Sequence, residues 1–329
     1  MSEAIRPGPR RLGVLGTLVR DTIRHPGLSR PVRAWGGVAY ALAALDAVLP
    51  PGWILVPVVK IGGDLFAEAR AYLRSFARIG DMTFARRAPQ ANNRVELVYS
   101  TPSDRVETVT GGVPGWSAEE LGEFLPGFDA LYVNFVAGRE LDPEGARRIR
   151  DEFAGPCHAD LHSLFLDLRS DGHRRPRHLP KGEDWAGSFD TVQMNRDEFA
   201  LFRGGAEDPP GAVAGALAAR AAMLVVTLGA DGAEIMTAGG PRGTVETERV
   251  PVRAGPAPGD PTGCGDIWGA TFFAGLLGGA GPAVAVARAH RMARAKLGSS
   301  GPDEFRASLA AAEPHSLAAA EPLSFSRPM

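Results

Sequence analysis

The residue types best suited to chemistry lie together in one glycine-rich segment, residues 259–270, whose sequence is GDPTGCGDIWGA. Glycines allow backbone conformations that other residues avoid, and they let a ligand approach the main chain closely. The segment runs into an apolar stretch of helical length, and the first amides of a helix are unpaired and favour an anion, usually a phosphate. We therefore expect the backbone N–H groups of Gly263, Cys264 and Gly265 to form an anion hole.

Asp266 lies at the mouth of this expected anion hole, where its carboxylate would repel a bare phosphate. One interpretation is structural, because an acidic residue in the first turn complements the helix dipole. The other is catalytic: Asp266 would take the proton of a hydroxyl that attacks a phosphoryl group, while the amides neutralise the charge on that group. The local sequence leaves both interpretations open.

Several other catalytic motifs do not occur in the sequence. The pattern GxxxxGK[ST] is missing, and the lysines are limited to Lys60, Lys181 and Lys296. The glycine spacing at 263, 265 and 269 is one residue longer than the dinucleotide fingerprint, and there is no GxSxG nucleophile motif. These observations argue against a P-loop enzyme, a dinucleotide-binding enzyme and an α/β-hydrolase.

A second kind of chemistry is suggested by His158, Asp160 and His162, which alternate along a predicted strand. Residues at i, i+2 and i+4 of a strand share one face, and these three side chains are credible ligands of zinc or another divalent metal. A metal-dependent hydrolase is therefore an alternative hypothesis. A module that binds a ligand without catalysis is a third.

The elements that must position these residues alternate along the chain. Strand-length apolar runs occupy residues 12–18, 53–59, 130–135, 157–161, 191–194 and 223–228, and helical segments occupy residues 37–48, 65–78, 143–153, 196–202, 210–220 and 266–277. This order predicts an α/β fold with a doubly wound, mainly parallel sheet flanked by helices. Because ligands of such folds bind at the carboxyl ends of the strands, we expect the site there.

Residues 94–110 depart from this alternation. Two alternating polar and apolar stretches flank the turn Pro102-Ser103-Asp104 without an intervening helix, as is typical of a β-hairpin. The hairpin could extend an edge of the sheet or form a small β lid over a ligand, and this region alone does not distinguish the two.

The segment Asp260–Asp266, DPTGCGD, resembles the C-terminal signature of the pfkB, or ribokinase-like, carbohydrate kinase family, usually DTxGAGD. Further blocks resemble the family in its own order over residues 13–298. They are an opening strand with Asp21, the glycine pair Gly36-Gly37, the segment Ile61-Gly62-Gly63-Asp64, the NxxE motif Asn195–Glu198, and a strand and turn with Thr227, Gly229 and Gly232.

The resemblance implies a ribokinase-like kinase that transfers phosphate from ATP to a hydroxyl of a small sugar or sugar-like acceptor, or of a nucleoside. It implies Asp266 as general base, with Asp21, Gly36 and Gly37 on the acceptor. The residues implied for the nucleotide are Asn195, Thr227, Gly229, Gly232, Asp260 and Thr262. Glu198 would act on magnesium, although Asn195 and Glu198 also read as a helix capping box.

Three departures from the family pattern are evident. Pro261 and Cys264 replace the usual Thr and Ala of the signature, and Pro261 lies in the loop that binds a monovalent cation in some members. Ala41 stands where the family often carries an Asn that touches sugar hydroxyls. The anion hole is expected to survive, but the acceptor is not identified.

Composition limits the remaining possibilities. The 329 residues carry 36 basic and 38 acidic side chains, a net charge of -2, which gives no reason to expect nucleic acid or a membrane as partner. Two cysteines cannot build a disulfide framework and point to the cytoplasm. We expect one kinase domain over residues 12–312, loosely ordered termini at 1–11 and 313–329, and, as in several relatives, a homodimer through the lid.

Overall fold

Strands and helices alternate along the part of the chain that the computed structural model describes, residues 8–24, 29–100, 105–204, 209–239, 244–252, 255 and 257–311. The strands are β1 Arg10–Leu15, β2 Leu18–Arg24, β3 Val32–Gly37, β4 Trp53–Gly62, β5 Ala85–Ala88, β6 Arg94–Tyr99, β7 Arg105–Thr110, β8 Ala130–Asn134, β9 Cys157–Asp160, β10 Leu166–Leu168, β11 Arg174–Pro176, β12 Thr191–Asn195, β13 Met223–Thr227, β14 Ala233–Gly239 and β15 Thr244–Val250. The α-helices are α1 Val38–Val48, α2 Phe66–Leu73, α3 Ala118–Phe124, α4 Pro143–Glu152, α5 Gly182–Ala186, α6 Arg196–Phe202, α7 Pro209–Ala219, α8 Cys264–Leu277, α9 Pro282–Lys296 and α10 Pro302–Ala311.

The large sheet has nine strands in the order β15-β14-β13-β12-β9-β8-β1-β4-β5. The pairs from β13 to β5 are parallel, and β14 and β15 add two antiparallel strands at one edge. One face packs on α3, α4, α5 and α7, and the other packs on α1, α8 and α10. The predicted mainly parallel, doubly covered α/β fold is confirmed.

The predicted hairpin is formed by β6 and β7, and it belongs to a separate sheet of order β3-β2-β6-β7. In this sheet β2 pairs antiparallel with β3 and parallel with β6. The hairpin therefore does not extend an edge of the large sheet, and we call this four-stranded unit the lid sheet. The predicted turn at residues 102–104 lies outside the described residues.

The opening strand differs from its prediction. Instead of one strand over residues 12–18, the chain ends β1 at Leu15 and starts β2 at Leu18. The reason is tertiary: between them Gly16 packs so tightly that a Cβ there would lie 2.9 Å from the Val38 side chain. The polypeptide leaves the large sheet at this point and enters the lid sheet.

Other boundaries also moved. The helix predicted over residues 65–78 ends at Leu73. The Arg78 amide makes no helical hydrogen bond and donates to the Asp46 carboxylate of α1 at 2.7 Å. Arg10 and Arg11, expected in a loose terminus, pair with β4. Helix α8 begins at Cys264, two residues earlier than predicted. Residues 1–7 and 312–329 lie outside the described part of the chain.

Candidate active site

A cleft of about 200 Å³ lies between the large sheet and the lid sheet. Asp160, Gln193 and Thr227 enter it from the carboxyl ends of β9, β12 and β13, where ligands of doubly wound sheets bind. The other lining residues come from the lid sheet, from α1, β11 and α6, from the end of β12, from the segments after β8 and β9, and from residues 261–266: Val19, Asp21, Gly37, Tyr40, Val95, Leu97, Glu107, Val136, His162, Ser163, Arg174, Asn195, Glu198, Pro261, Thr262, Gly263, Gly265 and Asp266.

The signature loop, which we define as residues 259–266, turns into α8 at Gly263. This residue has φ of 79°, a left-handed conformation suited to glycine, and a Cβ here would overlap the Tyr40 ring. The Cys264 amide donates to the Pro261 carbonyl at 3.1 Å and closes the turn. Of the three amides predicted for the anion hole, Cys264 is thus engaged within the loop, while those of Gly263 and Gly265 find no acceptor among the described residues.

Asp266 is the third residue of α8, and its half-buried carboxylate reaches the cleft. Asn134, at the end of β8 and fully buried, donates from Nδ2 to Asp266 Oδ1 at 2.7 Å. No local pattern in the sequence links residues so far apart, so sequence reasoning did not predict the contact between Asn134 and Asp266. The amide fixes one carboxylate oxygen and so orients the other.

Asp260 and Thr262 hold the signature loop from two sides. Asp260 does not line the cleft; it accepts from the Thr262 amide at 2.9 Å and from Lys296 Nζ at 3.2 Å. Thr262 lines the cleft, and its hydroxyl lies 2.8 Å from the hydroxyl of Tyr99 on the lid sheet. The lid sheet therefore contacts the signature loop directly.

One end of the cleft is walled by the lid sheet, and we call it the acceptor end because the sequence resemblance implies that Asp21 binds the acceptor; we define it by Asp21, Val95, Leu97, Glu107 and Arg174. Asp21 is 3% exposed, and a Cβ at its neighbour Gly36 would overlap its carboxylate. Gly37, the residue before α1, has φ of 61° and lines the cleft, whereas Gly36 leaves room for the Asp21 carboxylate. The predicted substrate residues are thus brought together.

A buried ion pair crosses from the lid sheet to the body at this end. Arg174, on β11, donates to Glu107 Oε1 at 2.8 Å, and both side chains are largely shielded from solvent. Arg174 also donates to the Val136 carbonyl at 2.8 Å. No sequence motif marks this loop, and only the fold brings it beside β7, where the Val109 amide donates to the Gly172 carbonyl at 2.8 Å.

The NxxE motif also lines the cleft, through Asn195 and Glu198. Asn195 caps α6 by accepting from the Glu198 backbone amide at 2.9 Å, and Glu198 Oε2 accepts from the Asn195 backbone amide at 2.8 Å. This is the predicted capping box. Thr227 lies beside it, while Gly229 and Gly232 shape the turn after β13 and are not among the described residues that line the cleft.

His162 forms an ion pair with Glu198. Burial opposes the charged imidazole, but the Glu198 carboxylate outweighs it and raises the pKa of His162 to about 9. Burial, together with the nearby carboxylates of Glu198 and Asp266, raises the pKa of Asp160 well above its usual value. The carboxylates of Asp160, Glu198 and Asp266 thus all lie near the His162 imidazole.

The predicted metal triad is wrong. His158 is fully buried in the core, stacked between Tyr132 and Phe273 and bonded to the Thr191 hydroxyl. The strand ends at Asp160, so His162 lies in a following turn of 3₁₀ helix and pairs with Glu198 instead. Within the described ranges, no group of three or more His, Cys, Asp or Glu side chains could hold a metal.

Both carboxylate oxygens of Glu198, the residue predicted to act on magnesium, accept hydrogen bonds from neighbouring residues. Oε1 of Glu198 accepts from His162 and from Asn195 Nδ2, and its Oε2 accepts from the Asn195 amide. Glu198 is therefore held by the capping box and by its pair with His162. In the described chain, no helix combines the length and hydropathy needed to cross a bilayer.

Known proteins resemble this chain in two ways. Residues 170–307 match the model of the pfkB family carbohydrate kinases. The fold is similar to a pyrophosphate-dependent kinase of the ribokinase family, solved with a pyrophosphate analog and myo-inositol, with a TM-score of 0.70 and 16% identity over 92% of this chain and 100% of that one. No curated protein sequence matches.

Two further structures share the fold. A nucleoside kinase of Burkholderia thailandensis, solved with inosine, gives a TM-score of 0.67 and 16% identity over 92% of this chain and 96% of that one. Ribokinase of Arabidopsis thaliana, complexed with ribose and ATP, gives a TM-score of 0.66 and 16% identity over 97% of this chain and 100% of that one. Residues 170–307 of this chain are therefore similar to the pfkB family carbohydrate kinases, and the described chain has the ribokinase-like fold.

Proposed function

We propose that this kinase transfers the terminal phosphoryl group of ATP to a hydroxyl of a small sugar or sugar-like acceptor, with Asp266 as general base. One observation carries the proposal: the carboxylate of Asp266 and the amides of Gly263 and Gly265 share a cleft with Asp21. A base, an anion site and a hydroxyl-binding carboxylate are the groups that phosphoryl transfer to an alcohol requires.

In the proposed reaction, the acceptor hydroxyl forms a bond to the γ-phosphorus as the bond to the bridging β,γ-oxygen breaks. The hydroxyl proton passes to Asp266, and the electron pair of the broken bond leaves with ADP. The Gly263 and Gly265 amides neutralise charge on the phosphoryl oxygens. Asn134 holds the carboxylate in place, because its side-chain amide donates to Asp266 Oδ1 at 2.7 Å.

The acceptor is proposed to bind against Asp21, whose carboxylate can accept from two neighbouring hydroxyls. The apolar side chains of Val95 and Leu97 form one wall, and the Glu107–Arg174 pair supplies polar groups opposite. This mixture suits a compact molecule with several hydroxyls on a carbon frame. A nucleoside acceptor is the alternative, supported by the fold of the inosine-bound relative.

The donor is proposed to lie along Asn195, Thr227 and Thr262, with the turn at Gly229 and Gly232 on the nucleotide side and Asp260 acting through the loop. Glu198 would face the magnesium of the ATP complex through water. Pyrophosphate is a second candidate donor, because a pyrophosphate-dependent kinase has the same fold over the whole of its chain.

A phosphotransfer screen tests this proposal. Purified protein is incubated with magnesium and either ATP or pyrophosphate, against panels of sugars, polyols and nucleosides, with phosphorylated products detected by mass spectrometry. Asp266→Asn protein serves as the matched inactive control. Product with a sugar or polyol supports the proposal, product with nucleosides alone supports the alternative, and no Asp266-dependent product with any acceptor contradicts both.

We also propose a cytoplasmic location and a homodimer through the lid sheet. Both cysteines are unpaired, which fits a reducing compartment.

The proposed dimer is supported by an apolar patch on the outer side of the lid sheet. Val98 and Val106 are paired across β6 and β7 and are 41% and 52% exposed. Sedimentation of wild-type and Val106→Lys protein tests the dimer.

A further inference from the structure

Lys296, the last residue of α9, has a side chain that is completely shielded from solvent. Its ammonium group donates to the backbone carbonyl of Asp260 at 2.9 Å and to the Asp260 carboxylate at 3.2 Å. The Tyr40 ring lies 5.6 Å away from the nitrogen. A buried ammonium group is costly unless it is paired and hydrogen-bonded, and here both oxygens come from the signature loop.

The end of α9 holds the signature loop at further points. The Asp260 amide donates to the Leu297 carbonyl at 3.0 Å, and Cys264 Sγ lies 3.5 Å from the Ala293 carbonyl. Gly259 passes so close to Leu297 that a Cβ would overlap its carbonyl. The loop that presents the anion-hole amides is therefore seated on α9, with Lys296 at the centre of the contact.

The position of the ammonium decides what it can do. It engages Asp260 through the carbonyl and Oδ2, and this leaves Asp260 Oδ1 to accept from the Thr262 amide at 2.9 Å. Asp260 thereby fixes the backbone one residue before Gly263, where the chain turns into α8. Because the lysine is covalently attached, its charge is present at the loop without binding from solution.

We propose that Lys296 is a positioning residue of the phosphotransfer site: its ammonium is an internal cation that orders the signature loop and makes the enzyme independent of dissolved monovalent cations. This inference rests on the proposed function of the loop. It replaces the monovalent-cation cofactor that the family resemblance implied for the loop containing Pro261.

Lys60 provides a matched control elsewhere in the fold. Its ammonium also donates to one carbonyl, of Gly115, and to one carboxylate, of Glu120, both at 2.8 Å, and it lies 4.8 Å from the Trp116 ring. Its side chain is 14% exposed, and it does not line the cleft. Removing the charge of Lys60 therefore reproduces the structural cost of losing such a contact without touching the signature loop.

The experiment measures hydrogen exchange of the peptide covering residues 259–266, in choline chloride and in potassium chloride at equal ionic strength. Lys296→Met keeps the length of the side chain and removes its charge, and Lys60→Met is the control. We expect Lys296→Met to accelerate exchange in this peptide by about 10-fold or more, Lys60→Met to leave it unchanged, and the wild type to exchange equally in both salts.

Lys296→Ala tests the charge itself, because it opens a space that an ammonium or potassium ion added as the chloride can occupy. Lys296→Met leaves no such space. Restored protection in Lys296→Ala but not in Lys296→Met supports the proposal. If neither ion restores the exchange protection in Lys296→Ala, the proposed role of the Lys296 charge is wrong. The same conclusion follows if Lys296→Met and Lys60→Met accelerate exchange of the loop equally.

Wild-type protein answers the question even where the variants do not fold, since potassium-dependent protection of its loop would overturn the proposal. These exchange measurements need no acceptor, so they remain interpretable if the phosphotransfer screen fails. Once an acceptor is known, wild-type kcat should be the same in choline and potassium, and Lys296→Ala should regain kcat with ammonium.

Discussion

Eight consecutive residues, 259–266, supply the signature loop, its amides and Asp266 at one end of the cleft, which we call the phosphate end after its proposed role. The acceptor end instead draws Asp21, Leu97 and Arg174 from separate regions of the chain. The family match, over residues 170–307, contains the whole signature loop and the NxxE motif but neither Asp21 nor the lid sheet. The two ends are joined by the contact between Tyr99 and Thr262.

This difference explains why the reaction is easier to assign than the substrate. A glycine-rich turn into a helix stabilises an anion through backbone groups, so its chemistry depends on a short local pattern. Selection of an acceptor depends on side chains that meet only after the lid sheet has formed over the large sheet. We expect substitutions at the phosphate end to change turnover and substitutions at the acceptor end to change affinity.

The largest effect is expected at the phosphate end. Asp266→Asn should lower kcat by on the order of 10²–10⁴-fold, the usual contribution of a positioned general base. Fold and ATP affinity should persist, because asparagine retains the size of the side chain and an oxygen for Asn134. The measurement is kcat together with melting temperature and ATP affinity.

The control for this substitution is Asp303→Asn, which removes an exposed charge from the first turn of α10, away from the cleft. It should leave turnover unchanged. Near-normal kcat in folded Asp266→Asn protein would show that Asp266 only complements the helix dipole, and the division between the two ends would fail.

At the acceptor end, Asp21→Asn should raise the KM for the acceptor by about 10–100-fold, the value of losing hydrogen bonds to a charged group. The KM for ATP should change little. Glu96→Gln, on the exposed side of the same lid sheet, is the control. If both KM values rise together, Asp21 supports the lid sheet and does not select the acceptor.

A smaller effect is expected from Glu198→Gln, which keeps the capping geometry of α6 and removes a charge. We expect kcat to fall by about 10-fold and to recover partly at high magnesium, with little change in melting temperature. Asp197→Asn, exposed in the same first turn, should have no such magnesium response. Activity that is indifferent to Glu198→Gln at every magnesium concentration would reduce the pair to a helix cap.

The smallest effect concerns pH. Because Glu198 raises the pKa of His162 to about 9, the ion pair stabilises the fold fully below the unfolded pKa of about 6.5, and this contribution is lost as pH rises through 9. The imidazole is 41% exposed, so the fall in melting temperature should not exceed about 2–4 °C. His162→Asn should lack this part of the pH profile, and an identical profile in both proteins would refute the pairing.

The sequence alone predicted the parallel sheet, the hairpin of the lid sheet, the capping box at Asn195 and the helix start at the signature loop. Each depends on apolar periodicity or on residues a few positions apart, where local geometry restricts the choices. The same local reasoning failed for His158, Asp160 and His162, since regular alternation holds only while a strand continues, and β9 ends at Asp160.

The tertiary structure alone decided which distant side chains complete the site. Asn134 reaches Asp266 because β8 ends beside the start of α8, and Arg174 meets Glu107 because the chain entering β11 runs beside β7. Lys296 lies beneath Asp260 because α9 packs along α8. Such contacts are set by the order of strands and the packing of helices, which bring together residues whose separation in sequence carries no periodic signal.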